Sequence, residues 1–395
     1  MGLAYSMART AMRSHSQHKP TSGQHAKPDP SKQIAQIQQA RAIRAAKVEA
    51  DLAALRETLK VDSFIAPKHA RVETEPEPEI PLNPNRPRTL DDMVGQTELL
   101  TQLRIVINGS LLRDKPMPNC LISGPPGYGK TTLAQVIAEE MDAKLITTSG
   151  IVMRKPQDLA GLLVKMEPNS VFFCDEIHAL PTAVMEMLYE ALEDNKVSLL
   201  VGSGSDTTTQ TFALPRWICV GATTRPGLLT KPFRDRFGFT GVMDTYTTED
   251  LATIVDRAWK RSDTEFHEGE PLEVAKRCKG VPRLALHLSE RVLDYAAVRG
   301  NETICQGLTD VALATFGVDE NGLDRTDWKI LDALVNRFGG RTVGIDALAQ
   351  FLDLDKKTLT DQYEGPLVQS GLMHRTASGR MATPEAYALF QTEGL

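Results

Sequence analysis

The sequence contains few cysteines and no long apolar run. Its five cysteines include no CxxC pair and lie far apart: Cys120, Cys174, Cys219, Cys278 and Cys305. That spacing argues against a zinc ribbon or a disulfide framework and favours a reduced, cytosolic setting. Because apolar runs are short throughout, no membrane span is predicted. The N-terminus also lacks the long apolar segment of a secretory signal, so we expect a cytoplasmic protein.

Charge of one sign does not dominate the chain. Lys and Arg number 45 against 51 Asp and Glu, a net charge of −6, which excludes a uniformly basic nucleic-acid coat but not a local basic patch. With 395 residues, 41% of them hydrophobic and 24% charged, the chain suits two or three domains with a sizeable core. The first 88 residues differ, with 14 basic against 9 acidic side chains.

This N-terminal region is predicted to be a basic, largely disordered extension over residues 1–85. Within it, about residues 31–60 contain no Gly or Pro between Ser31 and Leu59, and several apolar residues follow steps of three and four. That periodicity predicts one amphipathic helix. The Pro-rich stretch 72–88 predicts a stiff, extended linker.

From Arg88 onward, strand-like apolar runs alternate with helix-like stretches. The alternation is typical of an α/β domain whose parallel sheet is covered on both faces, predicted here over 86–242. A helical lid is predicted over 243–317. Three short helices and a hairpin around 371–383 then indicate a winged helix over 318–395. The predicted strands are Cys120–Ile122, Lys144–Thr147, Val171–Cys174 and Ile218–Val220.

The strongest motif is GPPGYGKT at 124–131, which fits the P-loop pattern G-x-x-x-x-G-K-[ST]. It follows an apolar run and precedes a helical pattern, which is the context that a phosphate-binding loop requires. Its glycines let backbone N–H groups approach phosphate oxygens, and the helix N-terminus adds a positive dipole end. We expect Lys130 to reach the β- and γ-phosphates and Thr131 to hold Mg²⁺.

Two acidic residues follow the apolar strand Val171–Cys174. Asp175 is predicted to hold the Mg²⁺ shell, and Glu176 to orient and polarise the attacking water. An apolar run that ends in Asp-Glu is weak evidence alone, but this one lies 45 residues after Lys130, at the matching edge of the sheet. A polar residue in the motif GATTR at 221–225, directly after a short apolar strand, can sense the γ-phosphate.

Arginines occur in two further motifs. The stretch FRDRF at 233–237 would alone be interpreted as a surface ion-pair segment, but beside the other motifs it favours an arginine finger that acts on a neighbouring subunit's nucleotide. Arg283, in GVPR at the start of a helix, is placed to close over the nucleotide from the lid.

Taken together, these residues resemble the RuvB family, bacterial AAA+ ATPases that drive branch migration of Holliday junctions. The resemblance runs from about Arg86 to the C-terminus and is carried by GPPGYGKTT, TTSG, CDEIH, GATTRPGLLT, FRDRFG and GVPR. It implies an α/β P-loop NTPase (AAA+) large domain, a helical lid and a C-terminal winged helix. It further implies ATP and Mg²⁺ as cofactors, a homo-hexameric ring, and four-way-junction and duplex DNA as partners.

The resemblance also implies a role for individual residues. Thr131 and Asp175 would hold the metal, Thr224 would be the first sensor, and Arg236 would act in trans. Glu176, Asp175, Arg236, Lys130 and Thr224 make up the catalytic set. The nucleotide contacts that it implies are Arg86, Gly127, Gly129, Lys130, Thr131, Thr132, Glu193, Asp194, Asn195, Arg236, Tyr246 and Arg283.

For DNA, the resemblance implies that Arg375 and Arg380, which flank the hairpin HRTASGR, meet phosphates. Two arginines on a short β-ribbon fix position without reading bases, although the residues alone are equally consistent with a solvated basic turn. The hairpin 202–212 is matched with the family's docking site for a RuvA-type junction-binding protein, and Phe212 is its one large apolar residue.

The functional hypothesis is therefore an ATP-driven branch-migration motor. One alternative is a clamp-loader or initiator-like switch, in which ATP controls assembly on DNA without sustained translocation. Steady, DNA-stimulated turnover would disfavour that alternative. Another is a binding module that keeps ATP only to order its fold, which predicts that replacing Glu176 leaves turnover unaltered.

Overall fold

The computed structural model describes Ala50 and residues 86–392, apart from 114 and 202–207. The predicted amphipathic helix at 31–60 therefore lies outside the described residues except for Ala50, and so does most of the predicted linker. The described part forms a large N-terminal α/β region, a mostly helical middle region and a C-terminal winged helix. The boundaries at 86, 243 and 318 stay predictions.

The large region contains a central sheet, a β-hairpin and the helices around them. Its strands are β1 Cys120–Ser123, β2 Leu145–Ser149, β3 Val171–Asp175, β4 Lys196–Val201, β5 Thr208–Ala213, β6 Ile218–Thr223 and β7 Phe239–Val242. Its helices are α1 Thr97–Leu112, α2 Lys130–Glu140, α3 Pro156–Leu163, α4 Thr182–Asp194 and α5 Lys231–Arg234, with 3₁₀ turns at Ile177–Ala179 and Pro226–Leu228.

The central sheet has five parallel strands in the order β2-β3-β6-β1-β7. Every residue of β1 and β6 is buried, as are the first four of β3, because helices cover both faces of the sheet. All four predicted strands are present. The fifth, β7, was not predicted because this edge strand alternates buried and exposed residues instead of forming an apolar run.

The middle region is the lid. It comprises α6 Thr248–Arg261, α7 Glu270–Lys276, α8 Pro282–Arg299 and α9 Leu308–Thr315. It also contains one short parallel pair, β8 Glu265–Phe266 with β9 Thr303–Ile304, which the prediction of an all-α lid did not include. Lid residues such as Trp259 share one hydrophobic cluster with Leu133 of α2.

The C-terminal region has its own apolar cluster and the predicted three-helix-plus-hairpin order. Its elements are α10 Arg325–Asp332, α11 Ile345–Leu352, α12 Lys356–Thr358, α13 Gly365–Gln369, β10 Met373–Thr376, β11 Gly379–Ala382 and α14 Pro384–Thr392. Two stretches within the predicted helices wind more widely as π-helix, at 333–337 and 359–364. In the described part of the chain, no helix combines the length and apolar character needed to cross a bilayer.

The lid and the winged helix meet at a tightly packed joint. The Lys279 ammonium pairs with the fully buried carboxylate of Asp327, and burial raises the pKa of Asp327 against the opposing effect of that lysine. Gly322 has φ +73°, and a Cβ there would stand 2.7 Å from the carbonyl oxygen of Arg277. Glycine is therefore required at this position for the linker to lie so close to the lid.

Candidate nucleotide-binding site

The P-loop occupies the turn between β1 and α2, with Lys130, Thr131 and Thr132 as the first residues of the helix. Gly127 and Gly129 have φ of +82° and +93°, values that glycine adopts without steric cost. A Cβ at Gly127 would stand 2.9 Å from Cγ1 of Val281 in the lid. The glycine pattern thus serves two purposes, because it forms the phosphate-binding turn and lets the lid pack against it.

Two donors from the lid hold the outer side of this loop. The backbone N–H of Arg283 donates to the carbonyl of Gly127 at 3.2 Å, and the Tyr246 hydroxyl donates to the carbonyl of Tyr128 at 3.1 Å. Across a trans peptide, a carbonyl and the following N–H point in opposite directions. The N–H groups of Tyr128 and Gly129 therefore point away from the lid donors, as a phosphate-binding loop requires.

Lys130 is buried and folded back onto its own loop. Its ammonium donates to the carbonyls of Gly124 and Pro125, both at 2.8 Å. Burial lowers the pKa of Lys130, with Arg283 acting in the same direction, whereas Glu176 and Asp175 oppose the shift. The lysine thus lies within the field of both acidic residues and of the lid arginine, as expected if all four face one phosphate site.

Glu176 lies just beyond the end of β3, in a left-handed conformation with φ +46°. One carboxylate oxygen, Oε2, accepts from the Thr224 hydroxyl at 2.9 Å and from the Thr224 amide at 3.3 Å. The same oxygen lies 3.1 Å from Nδ1 of His178, which in turn lies 2.9 Å from the Thr223 hydroxyl. The structure therefore brings together the proposed water-placing residue and the proposed first sensor, which are 48 residues apart in the chain.

Tyr246 and Arg283 are brought to the P-loop as predicted for lid contacts. The rings of Tyr246 and Tyr128 make an edge-on contact with centroids 5.9 Å apart. Burial raises the pKa of Tyr246 to about 12, so its hydroxyl stays protonated and continues to donate. Arg283 is the second residue of α8, and its backbone N–H contacts Gly127.

Arg236 lies in a second group of residues. Its guanidinium donates to the Tyr189 hydroxyl and pairs with Glu193 at 3.0 Å, and its Cζ stands 4.6 Å from the Tyr189 ring centroid. The hydrogen bond with Tyr189 raises the pKa of Arg236, so the side chain remains cationic. Its Nε is buried without a hydrogen-bond partner in the described part of the chain, an uncommon condition for a donor.

The triplet 193–195 also belongs to this second group. Glu193 pairs with Arg236, Asp194 pairs with Lys196 at 2.9 Å, and Asn195 ends α4 with φ +50°. These contacts connect the triplet with Arg236 and do not connect it with the P-loop of the same chain. Its predicted nucleotide contact stays a prediction.

Arg86 lies beside the helix that follows the P-loop. Its Nη1 donates to the side-chain oxygen of Gln135 in α2 at 3.0 Å. Its predicted contact with base and ribose stays a prediction.

The donor set at the site fits Mg²⁺. Thr131 offers a hydroxyl and Asp175 a carboxylate, both hard oxygen ligands of the kind Mg²⁺ prefers. Among the described residues, no group of three or more His, Cys, Asp or Glu could hold a metal. Mg²⁺ itself is usually held by one or two protein ligands together with substrate phosphates and water.

The proposed DNA-binding arginines face each other on the winged-helix hairpin. Both side chains contact Glu364, which is 1% exposed. Arg380 is 17% exposed and forks onto Glu364, with Nε and Nη2 each 3.0 Å from a carboxylate oxygen. Arg375 is 55% exposed and touches Glu364 through Nε alone. Arg380 therefore stabilises the hairpin through its ion pair with Glu364. Arg375 is the arginine that faces solvent.

Glu364→Gln is expected to destabilise the winged helix by about 3 kcal/mol, because the change leaves the largely buried Arg380 without its counter-charge. Hydrogen–deuterium exchange across 373–382 would report the loss. Glu385→Gln, at an exposed position in the same region, is the matched control. Equal exchange in the two variants would show that Glu364 does not hold the hairpin.

The hairpin predicted at 202–212 is present but begins earlier in the chain. β4 pairs with β5 in antiparallel register from Lys196↔Ala213 to Val201↔Thr208, and the tip at 202–207 lies outside the described residues. Phe212 is buried opposite Val197. It is therefore a core residue, and docking of a RuvA-type protein on this hairpin stays a prediction.

Three residues at the site were not predicted. His178 contacts both Glu176 and Thr223. Gln96 is buried and makes two hydrogen bonds with the backbone of Asp244, at 2.7 and 2.8 Å, which fixes the segment leading to Tyr246. Tyr128 bonds a distant residue, Gln369, at 3.0 Å. The only sequence signal was for Tyr128, a large aromatic residue between two P-loop glycines.

Comparisons with known proteins agree with one another from residue 85 to residue 391. Family models match in succession the RuvB P-loop domain of a Holliday junction DNA helicase at residues 85–243, the RuvB AAA lid domain at 246–319 and the RuvB C-terminal winged helix domain at 320–391. A Holliday junction branch migration complex subunit RuvB from Solibacter usitatus (strain Ellin6076) is 42% identical over 308 residues, which cover 78% of this chain and 90% of that protein.

Solved structures give the same result. The Thermotoga maritima RuvB Holliday junction branch migration motor superposes with a TM-score of 0.70 at 36% identity, covering 78% of this chain and 98% of that one. A variant of the same Thermotoga protein gives 0.71 over the same coverage. The predicted fold class is therefore confirmed, and the chain belongs to the RuvB family.

Proposed function

We propose that this protein is an ATP-driven DNA motor that moves the branch point of Holliday junctions in recombination and repair, working as a hexameric ring. The main observation in support is that the predicted catalytic residues lie in two separate groups. Lys130, Asp175, Glu176 and Thr224 belong to one site, whereas Arg236 lies with Glu193 and Tyr189 in another. One subunit therefore holds an incomplete site, and a ring in which each subunit faces the next would complete it.

At the proposed site, each residue has one task. The N–H groups of Tyr128 and Gly129 and the Lys130 ammonium would bind the phosphates, for which Lys130 must leave the carbonyls of Gly124 and Pro125. Thr131 and Asp175 would hold Mg²⁺, which neutralises charge on the phosphate oxygens. Glu176, held through Oε2 by Thr224, would orient water and accept its proton.

Arg236 of a neighbouring subunit would stabilise the charge that develops during phosphoryl transfer. Its side chain is 34% exposed, so it can turn outward from Glu193 at a modest cost. Because the finger comes from a neighbour, ATP turnover would require assembly. A cytoplasmic location and a RuvA-type partner stay predictions, and any docking through hairpin β4–β5 would not use Phe212.

The winged helix would hold DNA through its backbone. Arg375 is the exposed cation of the hairpin, and phosphate contacts of this kind suit a motor that must travel along any sequence. Arg375→Ala is expected to lower the slope of log Kd against log salt for duplex DNA by about 1, equally for unrelated sequences. Filter binding at several salt concentrations measures it, with Lys357→Ala as the exposed control cation.

The decisive experiment is ATP-dependent conversion of a synthetic four-way junction, with and without a cognate RuvA-type protein. The proposed function predicts conversion into duplex products and steady turnover that the junction stimulates. Nucleotide-dependent binding to DNA without conversion, and a single burst of turnover, would instead support the clamp-loader or initiator-like switch.

A further inference from the structure

The winged helix contacts the nucleotide site directly as well as through the lid. The contacts come from one stretch, residues 359–371, which we call the docking segment. Gln369 in this segment accepts a hydrogen bond from the Tyr128 hydroxyl at 3.0 Å. Asp361 in the same segment pairs with Arg225 at 2.9 Å. One partner is a P-loop residue, and the other directly follows the sensor residue Thr224.

The Tyr128 contact reaches the middle of the P-loop. The Tyr128 side chain is 1% exposed and lies between Gly127 and Gly129, both in left-handed conformations. Glycines on both sides give this loop more alternative conformations than other residues would allow. The loop therefore needs outside contacts to keep its phosphate-binding shape, and Gln369 provides one that the lid does not.

The Arg225 contact reaches the sensor side. The Arg225 amide donates to the Thr223 hydroxyl at 3.0 Å, and that hydroxyl contacts His178 beside Glu176. The side chains of Arg225 and Asp361 are 48% and 36% exposed, so water screens this pair and its contribution is small. The Tyr128 contact is part-buried, because Gln369 is exposed whereas Tyr128 is buried, so water screens it less than it screens the Arg225 pair.

The docking segment also holds the β10–β11 hairpin of the winged helix. Glu364, in the middle of the segment, binds both Arg375 and Arg380. The segment thus contacts the hairpin through Glu364. It contacts the P-loop through Gln369, and the residue after Thr224 through Asp361. We propose that Gln369 and Tyr128 form a positioning pair through which the winged helix stabilises the nucleotide-binding shape of the P-loop of its own subunit.

This inference deepens the proposed function and rests on it only for nucleotide binding at the P-loop. A contact changes affinity when it raises the fraction of molecules whose loop is ready to bind, because apparent Kd varies inversely with that fraction. A hydrogen bond of ordinary strength corresponds to about a fivefold effect. By thermodynamic reciprocity, nucleotide must strengthen the Gln369 contact by the same factor.

The test is a double-mutant cycle on the full chain, with Kd for the fluorescent nucleotide mant-ADP and Mg²⁺ as readout. Tyr128→Phe and Gln369→Ala should each raise Kd about two- to fivefold, and the double variant should be no weaker than either single variant. Gln362→Ala, an exposed glutamine in the same segment, should bind as wild type does. Unchanged Kd in Gln369→Ala, or additive losses in the cycle, would overturn the proposal.

A second readout separates coupling from simple loss of structure. Saturating ADP should slow hydrogen–deuterium exchange across 359–371 in the wild type, and Tyr128→Phe should remove that slowing although it lies outside the segment. If ADP still slowed exchange across 359–371 in Tyr128→Phe, the proposed role of the Gln369–Tyr128 pair would be wrong. Wild-type protein that does not bind mant-ADP would instead count against the proposed function, so the two failures are distinguishable.

Discussion

Arg236→Ala is expected to lower kcat for ATP by about 10³-fold or more, the range that arginine fingers contribute in phosphoryl transfer. The Kd for ATP should stay within about twofold of wild type, since ground-state binding relies on Lys130 and the P-loop amides. Arg236 contacts Glu193 and Tyr189 in its own chain, so its loss leaves those phosphate contacts in place. Steady-state turnover and ATP binding, measured on the same preparation, separate the two effects.

Mixing variants tests whether the finger acts in trans. Lys130→Ala lacks phosphate binding but keeps its finger, whereas Arg236→Ala has the opposite defect. In a randomly mixed ring, about a quarter of the interfaces would pair an intact P-loop with an intact finger, so up to about a quarter of wild-type turnover should return. Arg234→Ala, an exposed arginine two residues away, is the matched control and should hydrolyse normally. No recovery on mixing would contradict catalysis across subunits.

Glu176→Gln is expected to lower kcat by about 10²- to 10⁴-fold, the range typical of a positioned general base. Glutamine keeps the shape of the side chain and can still accept from Thr224, but it cannot take a proton from water. ATP binding should persist, because the change also removes a negative charge near the phosphate site. Single-turnover hydrolysis with radiolabelled ATP isolates the chemical step.

The matched control is Glu186→Gln, an exposed position on α4, where the same chemical change should leave turnover unaltered. If Glu176→Gln hydrolysed ATP at the wild-type rate, the water-placing role would be wrong. That result would favour the reading in which nucleotide serves only to order the fold.

The motifs were predictable where their chemistry is local. The P-loop lies within eight consecutive residues, and Asp175 and Glu176 are adjacent at the end of an apolar strand, so both follow from the pattern of one strand and its turn. The four central strands were equally plain, because burial on both faces requires continuous apolar runs. Residues of β7 alternate in exposure at the sheet edge, and that strand was missed.

Contacts between residues far apart in the chain could not be predicted from local sequence patterns. Tyr128 and Gln369 are 241 residues apart, and Phe212 faces the core only because β4 and β5 pair in one register. Nor did the sequence distinguish Arg375 from Arg380, since their difference depends on a buried carboxylate from another element. Tertiary packing decides such pairings, and no local pattern encodes them.

The joint between lid and winged helix has a mechanical consequence. A change at the ATP site can move DNA bound to the winged helix only if the connection between the two is rigid. A flexible connection would bend, and the DNA would stay in place. Two contacts make this joint rigid: the ion pair of Lys279 with Asp327 and the close packing of Gly322 against the Arg277 backbone. Rotation of α8 would therefore carry the hairpin with it as a lever arm. Any bending that accompanies a stroke would then lie outside this joint.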